Sequence, residues 1–351
     1  MRGAVVIASG GTGGHMFPAV ALGDALERRG QKVAYAVDAR GLRYLPEGAR
    51  HWQVQASSPT GSLAQKLQGL LVLGLGFAQS LVRFLIARPK AVAAFGGYAA
   101  VPTGLAAGLL RVPLVLHEQN AVFGRAHRLL LRFARTVALS FEPTAGAPAT
   151  GRLVGNPVRA GFAPSPWRHA PDQPIRLFVV GGSQGASAFA DVVPAAITAL
   201  GDEARRLRVT QQCRPEDLER VRMSYAEAGI DAETASFFDD MPARLEAADL
   251  VLTRAGASAV AETLVVGRPM LLVPYKFAAD DHQRANAKAL EAEGAALVID
   301  PDAFTAEALT QALDGLLDAP ERLARMAAAA AGLARVDAAE TLADLVVEAS
   351  R

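Results

Sequence analysis

Residues 4–15 read Ala-Val-Val-Ile-Ala-Ser-Gly-Gly-Thr-Gly-Gly-His, and residues 176–185 read Arg-Leu-Phe-Val-Val-Gly-Gly-Ser-Gln-Gly. Each is a short apolar run that breaks into glycines and then gives way to helix-forming residues. An apolar run of that length bounded by glycine reads as a buried strand. Strand, glycine loop and helix together make the opening unit of a parallel α/β sheet. Outward from the first, the chain continues with a helix ending near Arg28-Arg29-Gly30 and strands at Lys32–Val37, Ala91–Phe95 and Leu114–His117. Outward from the second come a helix over Ala186–Leu200 and strands at Leu207–Gln211, Leu250–Thr253, Met270–Val273 and Ala296–Ile299. The Ala-rich tail from Glu321 to Ser350 is helical by composition. Between the two blocks stand Pro157, Pro164, Pro166, Pro171 and Pro174. Proline removes backbone donors and opposes both helix and central strand, so this segment is the linker. The expected fold is α/β, with two Rossmann-like domains, 1–157 and 158–334, facing an interdomain cleft.

The totals agree with that division. A chain of 351 residues, 51% hydrophobic and 20% charged, can bury two sizeable cores. Its net charge of +1 lacks the basic excess of a nucleic-acid binder. Cys213 is the single cysteine, which excludes an internal disulfide and a cysteine metal cage and suits a reducing cytoplasm. The N-terminal apolar stretch turns into glycines too soon to read as a signal peptide.

The glycine loops suggest ligands with negative charge, because backbone N–H groups at a helix start attract anions. The first loop, Gly10–Gly14, is not a Rossmann fingerprint, since Met16 stands where glycine is needed. It is not a Walker loop either, for no Lys-Ser or Lys-Thr pair follows. His15 sits at the helix start, either as a base for a substrate hydroxyl or as a packing residue. In the second loop Ser183 has the position of a phosphate donor. A third helix start, Arg254–Glu262, carries a carboxylate that serves either the helix dipole or a pair of ribose hydroxyls. His117-Glu118-Gln119-Asn120 follows the strand over Val112–Leu116 and is expected at the cleft rim. Asp280-Asp281-His282 and Asp300-Pro301-Asp302 superficially invite a metal, but Asp in a Pro-containing turn serves local hydrogen bonding. No metal and no cofactor are expected.

Leu67–Ala87 is charged only at Arg83. Its length is borderline for a membrane span, and Gln68, Gln79, Ser80 and Arg83 argue against one. Two readings stay open: a partly buried helix of an α/β domain, or an exposed helix that docks on an anionic membrane surface, flanked by Lys66, Arg83, Arg88 and Lys90.

Taken in order, GGTGGHMFPAVALGDAL (10–26), FGGY (95–98), HEQNAVFG (117–124), GNPVR (155–159), VVGGSQGA (179–186), FFDDM (237–241), RAGASAVAE (254–262) and LVPYKFAADDHQRANA (272–287) resemble the MurG family. These are the enzymes that convert lipid I to lipid II in bacterial peptidoglycan synthesis. The resemblance implies a GT-B fold and a metal-independent, inverting transfer of GlcNAc from UDP-GlcNAc to the 4-hydroxyl of MurNAc. It also implies a peripheral place on the cytoplasmic face of the cell membrane, docking through about Leu67–Lys90, and partners in cell-wall synthesis and division. A C-terminal helix, about 335–351, is expected to pack back on the first domain. Residue by residue, the donor would meet Thr12, Gly13, Gly14, Asn120, Arg159, Ser183 (phosphate), Phe238 (uracil, through its backbone), Ala257, Ser258, Ala259, Val260, Ala261, Glu262 (ribose) and Gln283. The acceptor would meet Gly13, Gly14, His15, Gly96, Gly97 and Tyr98, with His15 the leading candidate base. The chain departs from the family between Asp38 and Ser62, in the acceptor half, and Phe238 replaces a more usual aliphatic residue. Two other classes are compatible with such a fold: a UDP-GlcNAc 2-epimerase, and a non-catalytic UDP-sugar-binding protein.

Overall fold

A computed structural model describes residues 2–59, 61–170, 172–181 and 187–351, and the chain divides into two compact units. Unit 1 comprises Met1–Ala160 and Arg335–Arg351; unit 2 comprises Gly161–Ala334.

Unit 1 runs β1 (Val5–Ser9), α1 (Gly13–Arg28), β2 (Val33–Val37), β3 (His51–Gln53), α2 (Leu63–Ile86), β4 (Ala91–Ala94), α3 (Gly97–Leu109), β5 (Leu114–Glu118), α4 (Arg125–Leu130), β6 (Ala134–Leu139) and β7 (Arg152–Leu153). Among the described residues its strands form one parallel sheet in the order β3-β2-β1-β4-β5-β6-β7. β1 is central, with Val5 level with both Val33 of β2 and Ala91 of β4. Because side chains alternate along a strand, β1 feeds two cores. Val5 and Ile7 pack with Met16, Leu22 and Leu26 of α1, while Val6 and Ala8 join the core that holds Phe84 of α2, Ala106 of α3 and Leu130 of α4. Burial on both faces explains why these strands read as unbroken apolar runs.

Unit 2 runs β8 (Ile175–Val180), α5 (Ser187–Ala199), β9 (Leu207–Gln212), α6 (Leu218–Glu227), β10 (Ala232–Ala235), α7 (Met241–Ala247), β11 (Leu250–Thr253), α8 (Ala257–Val266), β12 (Met270–Leu272), α9 (His282–Ala292), β13 (Ala296–Val298), α10 (Ala306–Leu317) and α11 (Pro320–Leu333). Its described strands are again all parallel, in the order β10-β9-β8-β11-β12-β13. Asp249, which leads into β11, is buried and accepts from Arg176 N (2.9 Å), Nε (2.9 Å) and Nη2 (2.8 Å). That carboxylate pins the edges of β8 and β11 together.

The Ala-rich tail forms two helices, the second close to the expected 335–351. After α11 the chain leaves helix at 334–337, and α12 (Ala338–Ala349) belongs to unit 1. There Leu342, Leu345 and Val346 enter the core beside α1, and Arg29 pairs with Glu340 and Asp344.

The apolar stretch forms α2, which is partly buried and partly exposed. Ser62 and Gln65 close its start with a reciprocal cap. Only Gly69, Gly76, Ser80 and Phe84 are buried, one narrow stripe along the helix. A Cβ on Gly76 would stand 2.0 Å from the Gln55 carbonyl oxygen, so glycine is what lets the helix lie against the preceding loop. Leu63, Leu67, Leu70, Leu71, Leu75, Val82, Leu85 and Ile86 face outward. By length and composition alone α2 is long and apolar enough to cross a membrane.

Candidate active site

In unit 1 the β1–α1 turn is held from β2. Asp38, buried just past β2, accepts from Gly11 N (2.8 Å) and Gly41 N (2.9 Å), and Arg40 pairs with its outer oxygen. A Cβ on Gly10 would lie 2.6 Å from Ala99 Cβ and 2.7 Å from Asp38 Oδ1, so only glycine fits where these three segments meet. Thr12 starts α1 without a side-chain cap, and its carbonyl accepts from His15 N and Met16 N. Gly13 and Gly14 form the first turn. The loop thereby presents a recess of about 230 Å³ lined by Gly10, Gly11, Thr12, His15, Asp38, Arg40, Ser57 and Ser58, with Gly97 and Tyr98 at the start of α3. Gly96 (φ 80°) and Gly97 (φ 66°) set the entry of α3 into this recess.

Behind the recess the polar run of residues 117–120 needs a correction. His117, within the expected strand Leu114–His117, and Glu118 are the last two residues of β5, both buried, so the polar run begins inside the sheet and not after Leu116. His117 Nε2 donates to the Gly155 carbonyl at 2.9 Å, and burial pushes its imidazole down to about 4, so it is neutral near pH 7. Burial alone would raise the Glu118 carboxyl. His127, at 2.8 Å, and N–H donors from Gly124 (2.8 Å) and Asn120 (3.0 Å) outweigh it and hold the carboxyl well below the usual carboxylate range. Glu118 therefore organises the loop after β5, including Asn120, whose side-chain amide also reaches it at 3.3 Å. The next residue, Gln119, is buried and bridges His15 Nδ1 (2.6 Å) to the Phe95 carbonyl (2.9 Å). Arg159 lies in unit 1, its guanidinium 4.2 Å from the Phe17 ring centroid of α1.

In unit 2 the turn between β11 and α8 is clamped on two sides. Arg254 donates to the carbonyls of Val273 and Pro274, and buried Asn286 donates to the Ala255 carbonyl at 3.0 Å. α8 starts after Gly256, with no side-chain cap and no acidic residue in its first turn. The backbone N–H groups of Ala257, Ser258 and Ala259 thus open an anion-favouring helix start. Val260 and Ala261 continue the helix, and Glu262 is 5% exposed on its second turn. Gln283 accepts from Tyr275 N at 2.9 Å, and its Nε2 faces Gly256. The ring of Phe238 is core, packed edge-on to Phe178 under the Arg244 guanidinium at 3.8 Å. Ser183 lies outside the described residues. Among the metal-suggestive acids, Asp281 and Asp300 pair with Arg284, and Asp302 with Lys276.

The structure therefore gathers Thr12, His15, Gly97 and Tyr98 around one recess, and Ala257–Glu262 with Gln283 around one helix start. Asp38 and Gln119 were not among the expected site residues. Both act through contacts distant in sequence, and Gln119 signalled itself only by standing within a polar run after a strand.

With this geometry in place, relatives can be compared. Residues 5–139 match the glycosyltransferase family 28 N-terminal domain, and residues 176–342 its C-terminal domain. A protein of Paramagnetospirillum magneticum named "UDP-N-acetylglucosamine--N-acetylmuramyl-(pentapeptide) pyrophosphoryl-undecaprenol N-acetylglucosamine transferase" is 47% identical, with 98% of this chain and 96% of the relative covered. A Rhodospirillum centenum protein of the same name is 44% identical over 99% of this chain and 94% of its own length. Among solved structures, Acinetobacter baumannii MurG superposes with a TM-score of 0.84 at 30% identity, covering 99% of this chain and all of that one.

Proposed function

This chain belongs to glycosyltransferase family 28, and we propose that it moves GlcNAc from UDP-GlcNAc to the 4-hydroxyl of MurNAc in lipid I, giving lipid II. The observation that carries the reading is the full-length likeness joined to the two prepared sites. One is the His15 recess of unit 1, and the other is the uncapped, Glu262-bearing helix start of unit 2.

The reaction is a single displacement with inversion. The acceptor oxygen forms its bond to the anomeric carbon as the bond from that carbon to the UDP oxygen breaks. The hydroxyl proton passes to His15, a step for which a positioned base contributes typically about 10²–10⁴-fold. In unit 2, N–H groups at Ala257–Val260 meet the diphosphate, Glu262 grips the ribose hydroxyls, and Gln283 reads the sugar. Ser183 and Arg159 complete the donor contacts, and Asn120 the sugar contacts. The backbone of Phe238 meets uracil, its ring being committed to the core. Gly13, Gly14, Gly96, Gly97 and Tyr98 receive the acceptor diphosphate, while Thr12, with Gly13 and Gly14, meets the donor. No metal is required, because fixed N–H dipoles meet the charge that grows on the departing UDP.

The acceptor resides in a membrane, so the enzyme docks on the cytoplasmic membrane face through the outward leucines of α2. Leu109 is likewise exposed on α3, the helix packed against α2. The deciding experiment measures UDP release from UDP-GlcNAc in EDTA, with and without a soluble lipid I analogue. Acceptor-dependent release is the expected result. Formation of UDP-ManNAc without acceptor would establish an epimerase, and UDP binding without any turnover would establish a binding protein.

A further inference from the structure

Gln119 occupies a position whose chemistry fixes the state of His15. The Phe95 carbonyl oxygen can only accept, so the amide end 2.9 Å from it must be the NH2 group. Turning the amide over would set two acceptor oxygens against each other, which decides the orientation without any view of hydrogens. The other end, Oε1, likewise only accepts. His15 Nδ1, 2.6 Å away, must therefore carry the proton. A neutral imidazole has one N–H, and its basic lone pair is left on Nε2. The Nε2–Cδ2 edge of the ring is turned toward Gly97, where an added Cβ would lie 3.7 and 3.6 Å from those atoms.

We propose that Gln119 is a positioning residue that locks His15 in the Nδ1–H form and presents Nε2 to the acceptor hydroxyl; this rests on the reading of His15 as the base. The choice of an amide has chemical sense. A carboxylate at the same place would stabilise the imidazolium and make the ring prone to hold a proton before the acceptor arrives. The chain has a carboxylate one residue away, Glu118, and spends it on His127 and the N–H groups of Asn120 and Gly124 instead. An uncharged orienter leaves the ring neutral and aimed. The other ionisable groups around His15 are Asp38, Arg40 and Tyr98 in the recess and neutral His117 behind it.

The test uses the full-length enzyme, with imidazole ¹⁵N NMR at His15 and steady-state kinetics on Gln119→Leu and Gln119→Glu. The parent should show the Nδ1–H tautomer, and Gln119→Leu should lose it. Gln119→Leu should also lower kcat by about 10- to 100-fold, the usual cost of removing a group that orients a functional histidine, with KM for UDP-GlcNAc within twofold. Gln119→Glu keeps an acceptor for Nδ1–H but turns its second oxygen on the Phe95 carbonyl, so it should restore the tautomer in part and move the acidic limb of kcat/KM to higher pH. An Nε2–H tautomer in the parent overturns the assignment whether or not any variant folds. A tautomer change in Gln119→Leu with unaltered kcat overturns the positioning role by showing that His15 is not the base. Equal losses of kcat, donor affinity and thermal stability would mark Gln119 as structural only.

Discussion

Two faces of α2 should answer a mutation in opposite ways. Leu71 and Leu75 are 71% and 61% exposed, whereas Phe84 is 1% exposed and packs edge-on to Trp52. Fully burying a leucine side chain stabilises by about 1.5–3 kcal/mol. With roughly two-thirds of that surface still open to water, each of the two leucines can give a membrane about 1–2 kcal/mol. The double replacement Leu71→Ser/Leu75→Ser should then cost about 2–4 kcal/mol of docking, or roughly 30- to 700-fold in affinity. Folding should lose only about 1–1.5 kcal/mol per site, from the third of each side chain already buried and from helix propensity. Phe84→Ala should do the reverse, costing about 3–5 kcal/mol of stability through a lost core side chain. Sedimentation with vesicles containing anionic lipid reports the first effect and urea unfolding the second. Raised salt should weaken docking as well, because Lys66, Arg83, Arg88 and Lys90 lie within or next to the α2 segment in sequence. If the double leucine variant unfolds early and still sediments with vesicles, the exposed face is not a docking surface and the reasoning fails.

Acid should weaken unit 1 through His117. Its folded pKa is about 4, below the usual value near 6.5, so between those two pH values only the unfolded chain takes up the proton. Stability should therefore fall as pH drops from 6.5 toward 4, by on the order of 1 kcal/mol per pH unit. Glu118, held low, keeps its contribution until pH falls through the carboxylate range. Urea unfolding at pH 7 and pH 5 isolates the histidine, and His117→Leu should flatten the difference. Asp249→Ala removes three hydrogen bonds from Arg176, whose guanidinium is half exposed and can turn to water, and should destabilise unit 2 by about 1–3 kcal/mol in the same assay. Glu262→Gln should weaken UDP by roughly 10- to 100-fold in calorimetry, the scale of a lost charge-assisted pair of hydrogen bonds. An unchanged affinity would return Glu262 to a role in the helix dipole.

How much of this was legible follows from where each signal lives. The central strands announced themselves because burial on both faces makes them uniformly apolar, as in Val5–Ser9 and Leu250–Thr253. Of the edge strands only β13 was expected, as Ala296–Ile299, and the interior strand β6, which opens on Ala-Arg-Thr, went unread. His51–Gln53 alternates exposed and buried over only three residues, and Ala232–Ala235 carries Glu233 outward. The strand end at His117-Glu118 was misjudged because polar residues were taken to lie outside the sheet, whereas Gly155 and His127 supply the partners that let them stay inside. The break between α11 and α12 carries neither proline nor glycine at its turn, only Arg335-Val336-Asp337. Glycine-rich helix starts were readable from local chemistry. The bond between Gln119 and His15 joins residues 104 apart in sequence, which no local pattern encodes.

The return of α12 to unit 1 also sets an order of events during synthesis. The segment up to Ala160 emerges first, yet its core beside α1 stays open until Leu342, Leu345 and Val346 have been made. Unit 2, Gly161–Ala334, is complete before that helix exists. At typical ribosomal speeds the delay is roughly ten to thirty-five seconds. Throughout it the first unit waits unfinished while the second is being made, and its uncovered α1 face is the surface a chaperone would meet. A premature stop near the end of the message would thus damage the part translated earliest.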